Sequence, residues 1–216
     1  MLAEPAQSLT DLALGTVTVA LAIRMGRSPA GHNHWRTAFW WFGIAALAGA
    51  VHHGLVVRSP TAGDVSWTVI SVMVVVAVSY LLAGTVAEVL GPGRRGAFWL
   101  LRSLGLVAYL VIAISGNAGI GTMLACEALT MVSVLALWVW AAHRRHPLAR
   151  PVLIAIVVSI AAAGTKALSP ELLSPVGLDP TSLYHLAQIA GMVLLYMAVS
   201  VPQGREAAAA PRYAVA

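Results

Sequence analysis

Two adjacent histidines, His52 and His53, are the residues of this sequence best suited to chemistry. They stand near the end of an apolar stretch, Trp40–Val57, which reads WWFGIAALAGAVHHGLVV and has the character of a membrane span. Ionisable residues in such spans are rare and usually functional, and imidazole is both a metal ligand and a general base. Adjacent helical residues point about 100° apart, so only one of the two can aim squarely into a bundle. We expect a ligand-binding or catalytic role for one of them; the alternative is a polar pair packed near lipid headgroups.

Further polar residues stand at the matching ends of other apolar segments. His185 shares a helical face with Gln188, three residues later, and this spacing favours an interior position for both. The other groups expected at the membrane level of the histidines are Asp11, Asp64, Lys166 and Asp179. We expect these groups to contribute to one binding or catalytic site. The alternative is that the ends of helices are the least costly places for charges in a membrane.

Glu127 is the deepest charged residue of the apolar segments. A lone carboxylate in such a place must be protonated or paired, because an isolated buried charge is costly. The functional interpretation is a catalytic proton relay or a ligand-binding group. The alternative is a structural hydrogen bond to a neighbouring helix.

The composition is that of a membrane protein that crosses the bilayer several times. The chain has 216 residues, of which 59% are hydrophobic and 10% charged, whereas soluble domains carry roughly 25% charged residues. Its single cysteine, Cys126, excludes an internal disulfide. The net charge of +5 does not indicate nucleic-acid binding, because the arginines stand at the ends of apolar segments. Nucleotide-binding, zinc-protease and serine-hydrolase motifs are absent from the sequence.

Seven apolar segments predict an all-α bundle of seven transmembrane helices that forms one domain over residues 1–216. Each segment is close to the roughly 20 residues that cross a bilayer, and the backbone polar groups of a span must be satisfied within the helix. The first segment carries Glu4 and Asp11 instead of a basic leader region, so we expect it to remain as the first span. The segments are about Leu9–Met25, Thr37–Val57, Val65–Leu90, Ala97–Ser115, Ile120–Ala142, Pro151–Leu168 and Ser182–Val201.

The distribution of arginines predicts the orientation of the bundle. Basic residues cluster in alternate connections, and by the positive-inside rule these connections face the cytoplasm. The N-terminus is then outside and the C-terminus is cytoplasmic. The clustered residues are Arg24, Arg27 and Arg36 after the first segment, Arg94, Arg95 and Arg102 after the third, Arg144, Arg145 and Arg150 after the fifth, and Arg205 and Arg212 in the tail.

Several of these features resemble the alkaline ceramidase and progestin/adipoQ-receptor superfamily, and within it a bacterial branch of uncharacterised seven-helix proteins. The shared pattern is seven helices with a histidine ending the second, an aspartate starting the third and a histidine opening the seventh. The short sequences that carry the resemblance are Thr10-Asp11-Leu12, Trp35-Arg36, His53-Gly54 and Leu183-Tyr184-His185-Leu186-Ala187-Gln188. The resemblance implies an integral protein of the bacterial cytoplasmic membrane.

The resemblance also implies an intramembrane zinc ion and hydrolysis of a lipid-derived amide or ester. His53 and His185 match zinc-binding histidines of that superfamily, and Asp64 matches its active-site aspartate, which would be a third ligand or would orient the water. Bound zinc lowers the pKa of water and polarises a carbonyl group. Two positions differ, since Thr181 replaces the first histidine of the helix-seven motif and Gly49 replaces a serine of helix two. Catalytic zinc normally has three protein ligands, and Asp64, Asp179 or His52 would supply the third.

The alternative is a membrane protein without enzymatic activity that binds a lipid or another small ligand at a degenerate metal site, with Thr181 in the vacant ligand position. A haem held by His53 and His185 is a minor alternative. In each case we expect His53 and His185 to face each other inside the bundle with Asp64 close to both. Helices two and seven would then both neighbour helix three.

Overall fold

The structure, a computed structural model, describes residues 1–26, 33–115 and 120–200. Within these ranges it is helical and contains no strand. A π-helical turn at His52–Val56 continues the second helix, and 3₁₀ turns follow the sixth and seventh helices at Thr165–Ala167 and Ser174–Val176. The helices are α1 (Pro5–Gly26), α2 (Asn33–Val51), α3 (Pro60–Leu90), α4 (Arg95–Ile114), α5 (Ile120–His143), α6 (Ala149–Gly164), α7 (Pro170–Leu173) and α8 (Pro180–Ser200).

Each predicted segment falls largely within one of the seven longer helices, but several helices begin earlier than predicted. The α1, α3 and α8 helices each begin at a proline, at Pro5, Pro60 and Pro180. Proline is favoured at the first helical position because its fixed φ angle suits a helix and it lacks an N–H that would be unpaired there. The short α7 helix was not predicted. The predicted end of the last segment, Val201, and the arginines Arg27, Arg205 and Arg212 lie outside the described residues.

Several helices are long and apolar enough to cross a bilayer, and the chain is a helical membrane protein. Within the described ranges six stretches meet both the length and the hydropathy expected of a membrane span. In α5 the apolar stretch Glu127–His143 is shorter than these. Seven spans and the orientation of the termini stay predictions. The six stretches are Pro5–Gly26, Asn33–Val56, Pro60–Leu90, Arg95–Ile112, Ala149–Ala167 and Pro180–Ser200.

Six of the long helices close into a ring, and α4 packs against its outside. Around the ring each helix contacts the next in the order α1, α2, α3, α5, α6, α8, and α8 returns to α1. The α4 helix contacts α3 and α5. Its outward face is apolar and exposed, with Trp99, Leu100 and Val111 each more than half exposed, as expected for a surface that faces lipid.

The expected contact between α3 and the helix that carries His185, which is α8, is not found. The reason is that α1 lies between α2 and α8. The last helix packs against α1 and α6, and it makes no extended contact with α3 within the described residues. Glycines let α1 approach α2 closely. A Cβ atom added at Gly15 would lie 2.8 Å from Leu47, and one at Gly43 would lie 2.7 Å from Val19. Small residues are the usual means of close helix packing in membranes, so α1 takes a central place in the ring.

The core of the bundle is built on two tryptophans, Trp35 and Trp138, whose ring centroids are 6.4 Å apart. Trp138 is fully buried, and its indole N–H donates a hydrogen bond of 3.1 Å to the hydroxyl oxygen of Thr85. Gly84 leaves room for Trp35, since a Cβ atom there would lie 2.8 Å from the indole ring. This core joins α2, α3 and α5 in the half of the bundle away from His53.

We predict that Thr85→Val destabilises the protein through loss of the acceptor for Trp138. Hydrogen bonds between membrane helices contribute about 0.6 kcal/mol on average and up to about 1.7 kcal/mol. The loss should fall in the upper part of this range, because both groups are buried. The free energy of unfolding can be measured by titrating the purified protein from mild detergent into dodecyl sulfate.

The matched control is Thr68→Val on the same helix, where the hydroxyl is exposed and donates to the Asp64 carbonyl one turn earlier. This variant should unfold like the wild type. Equal losses in both variants would contradict a specific role of the bond between Trp138 and Thr85.

Candidate functional site

The π-helical turn at the end of α2 presents the two histidines. It comprises His52–Val56, and the Val57 N–H donates to the His52 carbonyl oxygen at 2.9 Å, which is the i to i+5 bond of a π turn. His52, His53 and Gly54 are all buried. Such turns are rare, often occur at functional sites and change the direction of the side chains that follow.

The residues that precede α1 fasten onto this turn. The Ala3 N–H donates to the Gly54 carbonyl oxygen at 2.9 Å, and the Glu4 N–H donates to the His53 carbonyl oxygen at 3.0 Å. One turn further, the Ser8 hydroxyl donates to the Ala50 carbonyl oxygen at 2.8 Å. The carbonyl groups of His53 and Gly54 are among those that the end of a helix leaves without intrahelical partners. They also place the Glu4 side chain beside His53.

Glu4 and His53 form a close hydrogen-bonded pair. The His53 Nδ1–H donates to Glu4 Oε2 at 2.6 Å. A neutral imidazole carries one proton, so its other nitrogen is then an acceptor. That nitrogen, Nε2, lies 3.9 Å from Oδ2 of Asp11 and faces the interior of the bundle. The pair therefore fixes the orientation of His53 and, in the neutral form of the ring, its tautomer.

Asp11 is the centre of the site, because its carboxylate lies between the two histidines. Its Oδ1 atom is 3.3 Å from His185 Nε2, and the His53 and His185 ring centroids are 6.4 Å apart. The residue is only 5% exposed. On the other side of His185, Nδ1 lies 3.2 Å from the Thr10 hydroxyl. A continuous polar chain thus runs from Glu4 through His53, Asp11 and His185 to Thr10.

Gly49 makes room for this carboxylate. A Cβ atom added at Gly49 would overlap Oδ2 of Asp11, so any larger residue would displace the acid. Gly49 is also the position at which a serine is expected from the superfamily resemblance. The absence of a side chain at position 49 on α2 and the presence of an aspartate on α1 are therefore two aspects of one arrangement.

Asp179 holds the start of α8 in place. Its carboxylate accepts hydrogen bonds from the Thr181 N–H at 2.8 Å, the Ser182 N–H at 3.1 Å and the Ser182 hydroxyl at 2.5 Å. Partial burial by itself would raise the pKa of Asp179, but these hydrogen bonds outweigh it and lower the pKa below its usual value. Asp179 is therefore a helix cap, and it fixes the first turns of α8 that carry His185.

A cavity of about 390 Å³ opens beside the polar chain. Lys166 contributes to its wall, and the ammonium group lies 4.4 Å from the centre of the Tyr184 ring, within the range of a cation–π contact. Apolar side chains form much of the remaining wall, among them Leu14, Phe42 and Ile70. The polar lining residues are Asp11, Thr18, His53, Lys166, Thr181, Tyr184, His185, Gln188 and Gln7.

A second cavity, of about 470 Å³, adjoins the first and is almost entirely apolar. It extends between α3, α5, α6 and α8 past Val78, Leu135 and Ala155. The residues that line both cavities are Phe42, Tyr184, Gln188 and Met192. The bundle thus contains a polar chamber and an apolar chamber with a common wall.

Most of the residues predicted for the site come together in the first cavity: Asp11, His53, Lys166, Thr181, His185 and Gln188. His52 lies next to it without lining it, and its ring is 5.3 Å from the Trp67 ring. Within the described residues, the Nδ1 atom of His52 has no hydrogen-bond partner. His53 is therefore the member of the pair that faces the interior.

The placement of Asp64 beside the histidines is wrong. Its side chain is exposed in the first turns of α3, and it does not line the cavity. Asp11 occupies the expected position instead. Asp11 and Asp64 are expected at the same membrane level, so depth does not distinguish them. Only α1 lies between the two helices that carry the histidines.

Glu127 lies elsewhere in the bundle, where it forms an ion pair with Arg102 between α5 and α4. This contact accords with the structural alternative for Glu127. Its second carboxylate oxygen, Oε2, is buried and has no partner within the described residues.

Glu4 and Thr10 belong to the polar chain but were not predicted as site residues. Thr10 directly precedes Asp11, and its spacing from Glu4 is six residues. The available signal was the unusual presence of two acids, Glu4 and Asp11, at the start of an apolar segment. Hydropathy does not reveal that Glu4 is held by backbone bonds to the π turn.

The described residues do not fit a catalytic zinc ion. No group of three histidine, cysteine, aspartate or glutamate side chains in residues 1–26, 33–115 and 120–200 is arranged to hold a metal. His53 and His185 would supply two ligands, whereas catalytic zinc normally has three.

No curated protein and no solved structure matches this chain. A family described as being of unknown function, DUF6962, matches residues 6–203, which include α1 to α8 apart from the first residue of α1. The match covers the polar chain from Thr10 to His185 and both cavities. The chain therefore belongs to the DUF6962 family, a family of unknown function.

Proposed function

We propose that this membrane protein binds an amphipathic, lipid-derived molecule, with the polar group in the chamber of His53, Asp11 and His185. The single observation that supports this function most is that a polar and an apolar cavity lie side by side and share lining residues. Each cavity has a volume within the roughly 300–1,000 Å³ typical of ligand pockets. A molecule with a polar head and a hydrocarbon chain would satisfy both at once.

The polar chamber suits a head that both donates and accepts hydrogen bonds, such as an amide or a hydroxyl-bearing group. His53 Nε2 offers an acceptor, because Nδ1 already donates to Glu4. The Lys166 ammonium group offers a donor at the cavity wall. Polar groups in such pockets are few and fix the orientation of the ligand.

The proposed orientation rests on the arginine distribution, and the proposed membrane rests on the superfamily resemblance. We place the protein in the bacterial cytoplasmic membrane with seven spans, the N-terminus outside and the histidine site near the outer face. The head of the ligand would then enter from the outer leaflet, and its chain would extend toward the middle of the bilayer.

A zinc-dependent hydrolase of lipid amides or esters, as the superfamily resemblance implies, is the second candidate. The observation in its favour is that the Nε2 atoms of His53 and His185 face one carboxylate, that of Asp11. Because the described residues do not offer three suitable ligands, we assign no step to a metal.

Asp11→Asn should reduce the amount of copurified lipid-derived ligand several-fold. The amide presents one oxygen and one NH₂ group in place of two carboxylate oxygens, so one of the two histidine rings should face a donor instead of an acceptor and the hydrogen bonding of the polar chamber should change. The protein purified in mild detergent can be studied by native mass spectrometry, and the released molecules identified after extraction. Asp64→Asn is the matched control, because this aspartate is exposed and outside the cavity.

A second pair of variants in the same experiment tests the apolar chamber without touching the polar chain. Ala155 is 1% exposed and lines that chamber, so Ala155→Leu should occupy part of it and exclude the hydrocarbon chain. Ala161→Leu makes the same change on the exposed face of α6. The proposal fails if no ligand is retained by the wild type, or if both members of either pair behave alike.

Zinc analysis separates the two candidates. We expect protein expressed with ample zinc to contain far less than one zinc ion per chain, and His53→Ala to leave the content unchanged. Elemental analysis by inductively coupled plasma mass spectrometry is the measurement. Nearly one zinc per chain, lost in His53→Ala, would favour the hydrolase over the binding protein.

Cysteine labelling tests the orientation and the number of spans. In a Cys126→Ser background, Ser59→Cys and Leu172→Cys should react from outside intact cells with an impermeant maleimide, whereas Gly93→Cys should react only after lysis. Positions 59 and 172 lie on the same side only if an even number of helices separates them, as seven spans require. Labelling of Ser59→Cys but not Leu172→Cys would contradict the span count.

A further inference from the structure

A third cavity, of about 800 Å³, lies at the opposite end of the bundle from the histidines. It is bounded by the start of α2, one face of α3 and the first turns of α4. It has no lining residue in common with the two chambers described above. Its polar lining includes Asn33, His34, Tyr80, Arg94, Arg95 and Arg102.

The charge of this cavity is strongly positive. Three arginines line it, and no lining residue is an aspartate or a glutamate. Arg102, about two turns further along α4 than Arg95, is paired with Glu127. Arg94 and Arg95 form no salt bridge within the described part of the chain. Two guanidinium groups are therefore available for an anion. Guanidinium groups suit phosphate because they can donate two parallel hydrogen bonds.

The wall formed by α3 is mainly apolar and follows the length of that helix. Val76, Tyr80, Ala83 and Ala87 succeed one another at intervals of three and four residues, which places them on one helical face. From Val76 to Ala87 this face extends about 17 Å at 1.5 Å per residue. Phe98 and Trp99 of α4 form the facing wall. The cavity thus joins a cationic end to an apolar groove that runs into the membrane.

We propose that this cavity binds an anionic phospholipid, with the phosphate at Arg94 and Arg95 and an acyl chain along the Val76–Ala87 face of α3. A free phosphate would use the arginines but not the apolar groove. Basic pockets between membrane helices on the cytoplasmic side are suited to anionic headgroups, and the arginine distribution predicts that this end is cytoplasmic. The site is separate from the histidine chambers, so it neither needs nor excludes the ligand proposed there.

The test is retention of phosphatidylglycerol compared with phosphatidylcholine by the full chain in non-ionic detergent, measured by native mass spectrometry. We expect clear preference for phosphatidylglycerol in the wild type and a loss of that preference of roughly tenfold or more in Arg94→Gln/Arg95→Gln, since each basic group near the membrane surface contributes substantially to binding anionic lipid. Ala83→Phe keeps the charge but fills the groove, and it should also reduce retention.

Arg144→Gln/Arg145→Gln is the matched control, because it removes an adjacent arginine pair at the same end but outside the cavity. It should retain phosphatidylglycerol like the wild type. Equal losses in both double variants would mean a diffuse surface charge effect and would overturn the site. Displacement of the lipid by millimolar inorganic phosphate, or no effect of Ala83→Phe, would overturn the lipid as the ligand.

Discussion

The arrangement of this protein depends on one buried carboxylate, Asp11, that lies between His53 and His185. An acidic group inside the bundle is tolerated only where other polar groups accompany it, and the Nε2 atoms of both imidazole rings face this one. These contacts require α1 to lie between α2 and α8, which is the order of these three helices in the ring. Glycines on both helices allow that close approach, and Gly49 leaves the volume that the carboxylate fills.

The two ends of the bundle differ in how their polar groups are paired. At the histidine end the polar residues pair mainly with one another, so the chamber beside them is walled by groups that are already oriented. At the arginine end the only pairing among the cavity's guanidinium groups within the described residues is that of Arg102 with Glu127. A preorganised chamber favours selective recognition of a neutral polar head, whereas unpaired cations favour electrostatic binding of an anion.

Much of the helical architecture was predictable from hydropathy, because the backbone polar groups of a long apolar segment in a membrane must be hydrogen-bonded within that segment, as they are in a helix. The membrane level of Asp11, His53, Lys166 and His185 was predictable for the same reason. The position of each helix around the ring was not, since depth says nothing about which helices are neighbours. Asp64 was expected beside the histidines because it matches the active-site aspartate of the superfamily, and depth alone does not distinguish it from Asp11. The role of Glu4 in the site was not predictable, because backbone hydrogen bonds hold it in place and such bonds leave no periodic pattern in the sequence.

The π turn at His52–Val56 makes the site sensitive to chain length as well as to residue type. Such a turn contains one residue more than an α-helical turn, so it can be regarded as an accommodated insertion. Removal of one residue would restore the α-helical register and rotate the following residues by about 100°. Because two histidines are adjacent, such a deletion could exchange which imidazole faces Asp11 and would detach the carbonyl groups that hold Glu4. Relatives of this chain should therefore vary in sequence around the turn more readily than they vary in its length.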